Sequence, residues 1–447
     1  MNLTNNSNQT EVNWQTVDTI LARIKTPEFP NRDFKITDYG AVPGGEVNCS
    51  AAISAAIEAC HQAGGGRVVV PTGIFLTGKI HLKSNVNLNL EEGATLLFST
   101  KPQDYLPLVR VRWEGVECMN YSPLIFALEQ ENIAVTGNGT LDGGASWENW
   151  WAWKEPSRAD ANLQNEMADR NIPVEQRIFG EGHLLRPNFF QPTQCQNVLI
   201  EGVTIVRSPM WEVNPVLCQN VIVRGVKINC HGPNNDGCDP DSCRDVLIED
   251  CVFDCGDDCI AIKSGRNDDG RRVGVPIENV IIRNCVMKDG HGGVSIGSEI
   301  SGGCRNVFIE NCHMDSANLS RAIRFKSNAK RGGIIENTFM RNVTIGQVGE
   351  AVVTIDFMYE EGPNGQFNPA VRNFVMENVN SASAPRIFFI QGYAGAVIDE
   401  IRLTNCSFTG MSASEVIQHA GRIVMENVTI EPAQKVVSLH SRSATVW

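Results

Sequence analysis

Five aspartates fall in two short clusters joined by an apolar run: Asp236 and Asp239 in Asn234-Asn235-Asp236-Gly237-Cys238-Asp239, and Asp254, Asp257 and Asp258 in Asp254-Cys255-Gly256-Asp257-Asp258. Asp236, Asp257 and Asp258 each sit beside a glycine or another aspartate, in turn-like contexts. Crowded carboxylates raise one another's pKa, so one of them keeps its proton near neutrality. Such a set can do acid–base work. The protonated member gives its proton to a leaving oxygen, and an ionised member activates a water. Further along lie His291 between Gly290 and Gly292, Arg324 and Lys326 around Phe325, and Tyr359. Whether these groups meet depends on the elements that carry them.

From about residue 130 onward one unit recurs: Asn, then Val or Ile, then alternating apolar residues, then a charged residue and a turn. It starts at Asn132, Asn197, Asn220, Asp245, Asn279, Asn306, Asn337, Asn373 and Glu400. A basic period in the low to middle twenties, stretched by insertions and containing no helix, is the signature of a β-solenoid. The expected fold is all-β, a right-handed parallel β-helix forming a single domain over residues 34–447 behind a polar leader, residues 1–33. Asparagine at the repeated turn can stack into a hydrogen-bonded ladder. A short helix is expected over Val17–Lys25. A second, Ala51–Ala63, capped by Ser50 and ended by Gly64-Gly65-Gly66, would close the open end of the solenoid. Residues 144–185 interrupt the rhythm with Trp147, Trp150, Trp151 and Trp153. They read as a long loop on the cleft side, its tryptophans either packing it down or facing sugar rings.

In a solenoid, one coil later means directly alongside. Asp236 and Asp257 are 257 − 236 = 21 residues apart, close to one coil, so the two aspartate clusters are neighbours. His291, then Arg324 and Lys326, then Tyr359 fall on the coils that follow. Taken singly, Asp236 is a turn residue, Asp257-Asp258 a turn or a calcium ligand pair, and Arg324 and Lys326 a solvated face. On consecutive coils they form a stripe that folding does not require. Three acids supply both roles needed to cleave a glycosidic bond. The arginine and lysine imply a carboxylate on the sugar, a uronic acid.

The chain has 38 Lys and Arg against 51 Asp and Glu, a formal charge of −13, which argues against nonspecific nucleic-acid binding. No run is apolar and long enough to span a bilayer. Residues 1–15 lack the basic-then-apolar pattern of a secretory leader. The fifteen cysteines repeat at equivalent places, as small buried side chains stacked between coils do; Cys238/Cys243 and Cys255/Cys259 remain possible bridges. Unpaired thiols point to the cytoplasm, with export open if a leader has been trimmed. No metal or cofactor is called for, and a monomer is expected.

Four motifs resemble those of the family 28 glycoside hydrolases, the polygalacturonases and their relatives: Asn234-Asn235-Asp236, Gly256-Asp257-Asp258, Gly290-His291-Gly292 and Arg324-Phe325-Lys326. The resemblance covers nearly the whole chain from about Phe34. It implies inverting hydrolysis of α-1,4-linked galacturonate in pectic chains or oligomers. By that resemblance Asp257 is the general acid, Asp236 and Asp258 hold the water, and His291 tunes the acid. Arg324 and Lys326 grip the substrate carboxylate, with Tyr359 as a ring contact and Asn234 at the site. Asn235 and Phe325 depart from the family's Thr and Ile without removing a charge. Residues 264–272 and Gly297-Ser298-Glu299 resemble exo-acting bacterial members, and Arg266, Arg271 and Arg272 are candidates to hold a terminal carboxylate. Competing readings are an endo-acting enzyme or a hydrolase of substituted galacturonan or rhamnogalacturonan. Those of other classes are a pectate lyase and a non-catalytic glycan-binding β-helix.

Overall fold

The computed structural model describes residues 12–433. Parallel strands stack coil upon coil. One column runs through Gln196–Glu201, Gln219–Arg224, Arg244–Glu249, Ile277–Arg283 and Cys304–Glu310, continuing into Ile334–Ile345 and Ala370–Ser381. A second column holds Thr204–Val206, Lys227–Cys230, Val252–Cys255, Val286–Met287 and His313–Met314. The third holds Ile260–Ile262, Val294–Ile296, Arg321–Lys326, Ala351–Asp356, Arg386–Gln391 and Val416–Gln418. This is a parallel β-helix. The repeats pair in register, so Val198, Val221, Val246, Val280 and Val307 superpose and fill the interior. All fifteen cysteines are unbridged and buried; Cys195, Cys218 and Cys243 stack, each backbone N–H of the first two donating to the next thiol at 3.4 Å. No described helix is long and apolar enough to cross a membrane.

The repeated Asn is the hinge of each coil. Asn132, Asn197, Asn220, Asn279, Asn306, Asn337 and Asn373 all have left-handed backbones, which Asn tolerates better than most residues. Their side chains form a ladder, Asn197 donating to Asn132 and Asn220 to Asn197. Above the break the ladder resumes, with Asn306 donating to Asn279 and Asn337 to Asn306. Asp245 interrupts it, because an ionised carboxylate cannot donate to Asn220. Helix α1, Gln15–Arg23, uses the gap. Arg23 binds the Asp245 carboxylate, and the Lys25 N–H donates to the free Asn220 Oδ1 at 3.0 Å. The segment before Phe34 is therefore more than a polar leader. Val17 and Ile20 of α1 and the following Ile24 are buried against Leu199, Ile222, Leu247, Ile281 and Phe308 on the outer face of the first column.

Helix α2, Ser50–Gln62, buries Ala52, Ile53, Ala56, Ile57 and Cys60 in the main core at the N-terminal end. Ser50 is not its cap: it is the first helical residue and accepts from the Gly78 N–H, while Asn48 Oδ1 takes the Ser50 N–H at 2.9 Å. The 144–185 segment is not simply a loop. It carries a short helical turn, Trp150–Trp153, and helix α3, Arg158–Asp169. Gln164 of α3 donates to the Trp113 and Val116 carbonyls of an antiparallel hairpin, Val109–Trp113 with Val116–Asn120. Helix α4, Asn267–Val273, completes this wall, tied to the rest by a buried Arg177–Asp269 pair at 2.7 Å.

Asn279 donates to Asp245 at 2.9 Å and accepts from Asn306 at 3.0 Å. Asn279→Ala is expected to lower the unfolding free energy by about 2–4 kcal/mol, and Asn279→Gly by roughly 1 kcal/mol less because glycine relieves the left-handed strain. Urea denaturation of both variants checks the pair.

Candidate active site

Cys238 pairs with Ile260 across adjacent coils, which sets Asp236 beside Asp258. Asp236, Asp257 and Asp258 each bring a carboxylate oxygen to within 4.8 Å of the other two. Asp236 and Asp258 are buried and Asp257 stands at the open edge. The side chain of Asp258 accepts from Ser295 Oγ at 2.7 Å and from Lys326 Nζ at 2.6 Å. Burial works to raise its pKa, but Lys326, Arg324 and Lys263 together hold it below the usual carboxylate range. It is the permanent anion of the cluster. Asp236 is the opposite case. Its Oδ1 is buried without a hydrogen-bond partner, and burial, then the charges of Asp257 and Asp239, push its pKa well up. Burial and the neighbouring charges thus favour the protonated form of Asp236, which brings an oxygen to within 4.8 Å of one on Asp257.

His291 Nδ1 lies 2.9 Å from Asp257 Oδ1, and this contact raises the imidazole pKa against the effect of burial. The flanking glycines are steric necessities. A Cβ on Gly290 would come within 2.6 Å of the Asp257 carbonyl, and one on Gly292 within 2.4 Å of Ser295 Oγ.

Strand alternation explains the Arg-Phe-Lys motif. Ile323 and Phe325 point into the core, with Phe325 edge-on to Phe374. Arg324 and Lys326 project outward, and the Tyr359 ring lies 5.6 Å from Arg324 Cζ and 5.8 Å from Lys326 Nζ. The departures from the family motifs are thus both internal. Asn235 is likewise buried, tying the turn together by bonds to Gly232, Ser208 and Met210. Lys326, expected to grip substrate, already spends its charge on Asp258. Arg324 has no carboxylate within 4 Å among the described residues.

A cavity of about 200 Å³ opens over Asp236 and Asp257. It is walled by Glu114, Lys154, Trp211, Asn234, Lys263, Arg266, Glu299, Tyr359 and Glu360, among others. Roomier hollows lie elsewhere, one of about 480 Å³ near His81 and Phe126 without an acid and one of about 510 Å³ near Glu46 and Asp104, but neither is lined by any of the three aspartates. Arg266 reaches the wall, but shares its charge among Glu114 (3.4 Å), Glu360 (3.5 Å) and Glu299 (3.7 Å). Arg271 and Arg272 do not reach the cavity. Arg271 binds Asp268 and stacks on Phe367, and Arg272 binds Asp269 and Glu117. Both are held by acids three residues back in α4, a spacing visible in the sequence. Trp211 lines the cavity under Lys263. Of the loop tryptophans, Trp150 is buried against Tyr105 and Trp153, and Trp151 donates to the Ser208 carbonyl, so they anchor the insert. Sequence reasoning missed Glu114 of the hairpin turn, Lys154 of the insert and Arg186 immediately after it, all off the repeat. Asn234 Oδ1 accepts from Lys154 Nζ at 2.5 Å and from Arg186 Nη2 at 2.7 Å. Burial draws the Arg186 pKa down to about 10, partly offset by Glu114, Asp236 and Asp257.

The sequence profile of the glycosyl hydrolases family 28 matches residues 179–428, which contain every motif residue of the site. The chain belongs to this family. It is 30% identical to a probable polygalacturonase of Vitis vinifera over 69% of this chain and 60% of that one. It is 27% identical to an exo-poly-alpha-D-galacturonosidase of Dickeya chrysanthemi over 75% and 59%. The chain thus spans about three fifths of the length of these curated relatives. A solved structure, a hyperthermoactive exopolygalacturonase from Thermotoga maritima, superposes with a TM-score of 0.91 at 42% identity, covering 94% of this chain and 96% of that one. The hydrolase family and the acid cluster agree on the kind of chemistry.

By the family resemblance Asp258 is expected to act on water as an anion. Removing Lys326, the largest opposing charge, raises its pKa. Lys326→Met is therefore expected to move the acidic limb of the kcat/KM pH profile upward, and Arg324→Gln to move it less. The profiles are read on protein whose circular dichroism matches wild type.

Proposed function

We propose that the protein removes galacturonic acid from the end of α-1,4-linked pectic chains by hydrolysis with inversion. The observation that carries this reading is the meeting of three carboxylates on two adjacent coils, with an unpaired arginine two coils beyond Asp258. Asp257, at the open edge, gives its proton to the glycosidic oxygen. Asp236 and Asp258 hold and deprotonate the attacking water. The usual inverting pair stands roughly 6.5–9.5 Å apart with the water between acid and base. Here the 4.8 Å limit holds for one oxygen of each carboxylate, and the inverting reading places the water on Asp236 and Asp258, away from the acid Asp257. A water held by two carboxylate oxygens donates to each at about 2.8 Å. The proton of the resting cluster passes from Asp236 to Asp257 as substrate displaces solvent at the open edge, and His291 orients Asp257. Arg324 takes the carboxylate of the sugar beyond the bond, over the face of Tyr359.

Exo action is supported by the walls. The hairpin turn at Glu114, the insert at Lys154, Arg266 before α4 and Glu360 enclose a space smaller than the ~300–1,000 Å³ of sites for larger ligands, suited to one ring and not to a chain passing through. The similarity to the Thermotoga maritima exopolygalacturonase points the same way.

Polygalacturonate digests should contain monomer from the first minutes. A ladder of oligomers would mean endo cleavage, and rising ultraviolet absorbance from an unsaturated product would mean elimination. EDTA should leave the rate unchanged. Asp257→Asn should lower kcat at least about 100-fold with oligomer binding retained by calorimetry. The first-formed monomer should be the β anomer by NMR.

A further inference from the structure

The cations lining the cavity differ in how they are paired. Lys263 faces Glu299 at 3.2 Å and Asp239 at 3.5 Å. Lys326 is bonded to Asp258, and Arg266 is shared among three glutamates. Lys154 also lines the cavity, yet no carboxylate lies within 4 Å of it among the described residues; its bonded partner is the neutral Asn234 Oδ1. An ammonium has three donors, and an amide oxygen uses one. The same amide oxygen is shared with Arg186, a fully buried guanidinium whose other bonds go to the Pro209 and Pro233 carbonyls. Two cations thus converge on a corner where, among the described residues, no carboxylate pairs directly with either, Glu114 acting on both only through space.

This corner lies on the opposite side of the acids from Arg324. Asn234 belongs to the coil of Asp236, one before Asp258, while Arg324 lies two coils beyond Asp258. Three strand spacings separate them, roughly 14 Å, room for two neighbouring sugar rings with the cleaved bond over Asp257. The position of Lys154 is also prepared. The turn Trp150–Trp153 immediately before it is fixed by buried Trp150 and by the bond from Trp151 to Ser208 at 2.8 Å.

We infer that Lys154 receives the carboxylate of the sugar on the glycone side of the cleaved bond, so that the site reads a uronate on both sides: Lys154 on one and Arg324 on the other. This rests on the proposed galacturonan hydrolysis and deepens it. A neutral sugar at the chain end leaves the Lys154–Arg186 corner without its counter-charge, and the enzyme rejects it. Lys154 acts by binding and positioning; it takes no part in proton transfer.

The test compares trigalacturonate with the same trimer whose non-reducing carboxyl has been reduced to the alcohol. Wild type is expected to favour the acid-ended trimer about tenfold or more in kcat/KM. Lys154→Met should lose that preference by slowing the acid-ended trimer, with the alcohol-ended one changed less than about twofold. Lys154→Arg should keep the preference. Equal losses on both trimers would reduce Lys154 to a clasp on Asn234 and overturn the inference, as would an unchanged preference in Lys154→Met. Wild type that cleaves neither trimer would bring down the galacturonan reading itself, and the inference with it. Matched thermal midpoints show that the half-exposed Lys154 was replaced without unfolding the insert.

Discussion

A side chain in a parallel β-helix has its neighbours fixed by register: the equivalent residue one coil on lies about 4.8 Å away. The core, the ladder and the acid cluster follow from that spacing. Where the stacked residues are asparagines they form a ladder, and where they are valines they fill the core. Where they are aspartates, like charges are forced together. The fold cannot relax the contact without shifting register along a whole column, so the charge is met chemically. Lys326 and Ser295 hold Asp258 as an anion, and Asp236 keeps the proton. A buried pair such as Lys326–Asp258 is costly to break, about 3–5 kcal/mol when one partner is removed, and this fixes which member of the cluster stays ionised.

The single aspartate in the asparagine ladder shows the same constraint on the far side of the molecule. Asp245 cannot pass a hydrogen bond to Asn220, and the vacated acceptor and the carboxylate become the docking points of the N-terminal segment through Lys25 and Arg23. One ladder break ties α1 over the outer face, and one carboxylate stack makes the site.

What followed the repeat was legible in the sequence. Intervals of about one coil placed Asp236, Asp257, Asp258, His291 and Arg324 on one stripe, because repetition converts sequence distance into spatial distance. What left the repeat was not. The Val109–Asn120 hairpin, the turn before α3 and α4 are held by contacts no periodicity encodes, such as Gln164 on the hairpin carbonyls and Arg177 on Asp269. Hence Glu114, Lys154 and Arg186 went unseen, and Arg271 was assigned to substrate although its partner Asp268 stood three residues before it. The pairing of Lys326 was hidden for a different reason. Alternation shows that it faces the cleft, but not that Asp258 claims it first.

The central claim is that Asp236 and Asp257 share one proton beside the fixed anion of Asp258. It is tested most directly by carbon-13 NMR titration of the Asp236 carboxyl in wild type and in Asp257→Asn. Asp257 is the strongest neighbouring charge raising the Asp236 pKa, so its removal should move the Asp236 titration clearly to lower pH. An Asp236 that titrates in the ordinary carboxylate range, or one that does not move in Asp257→Asn, would contradict the account.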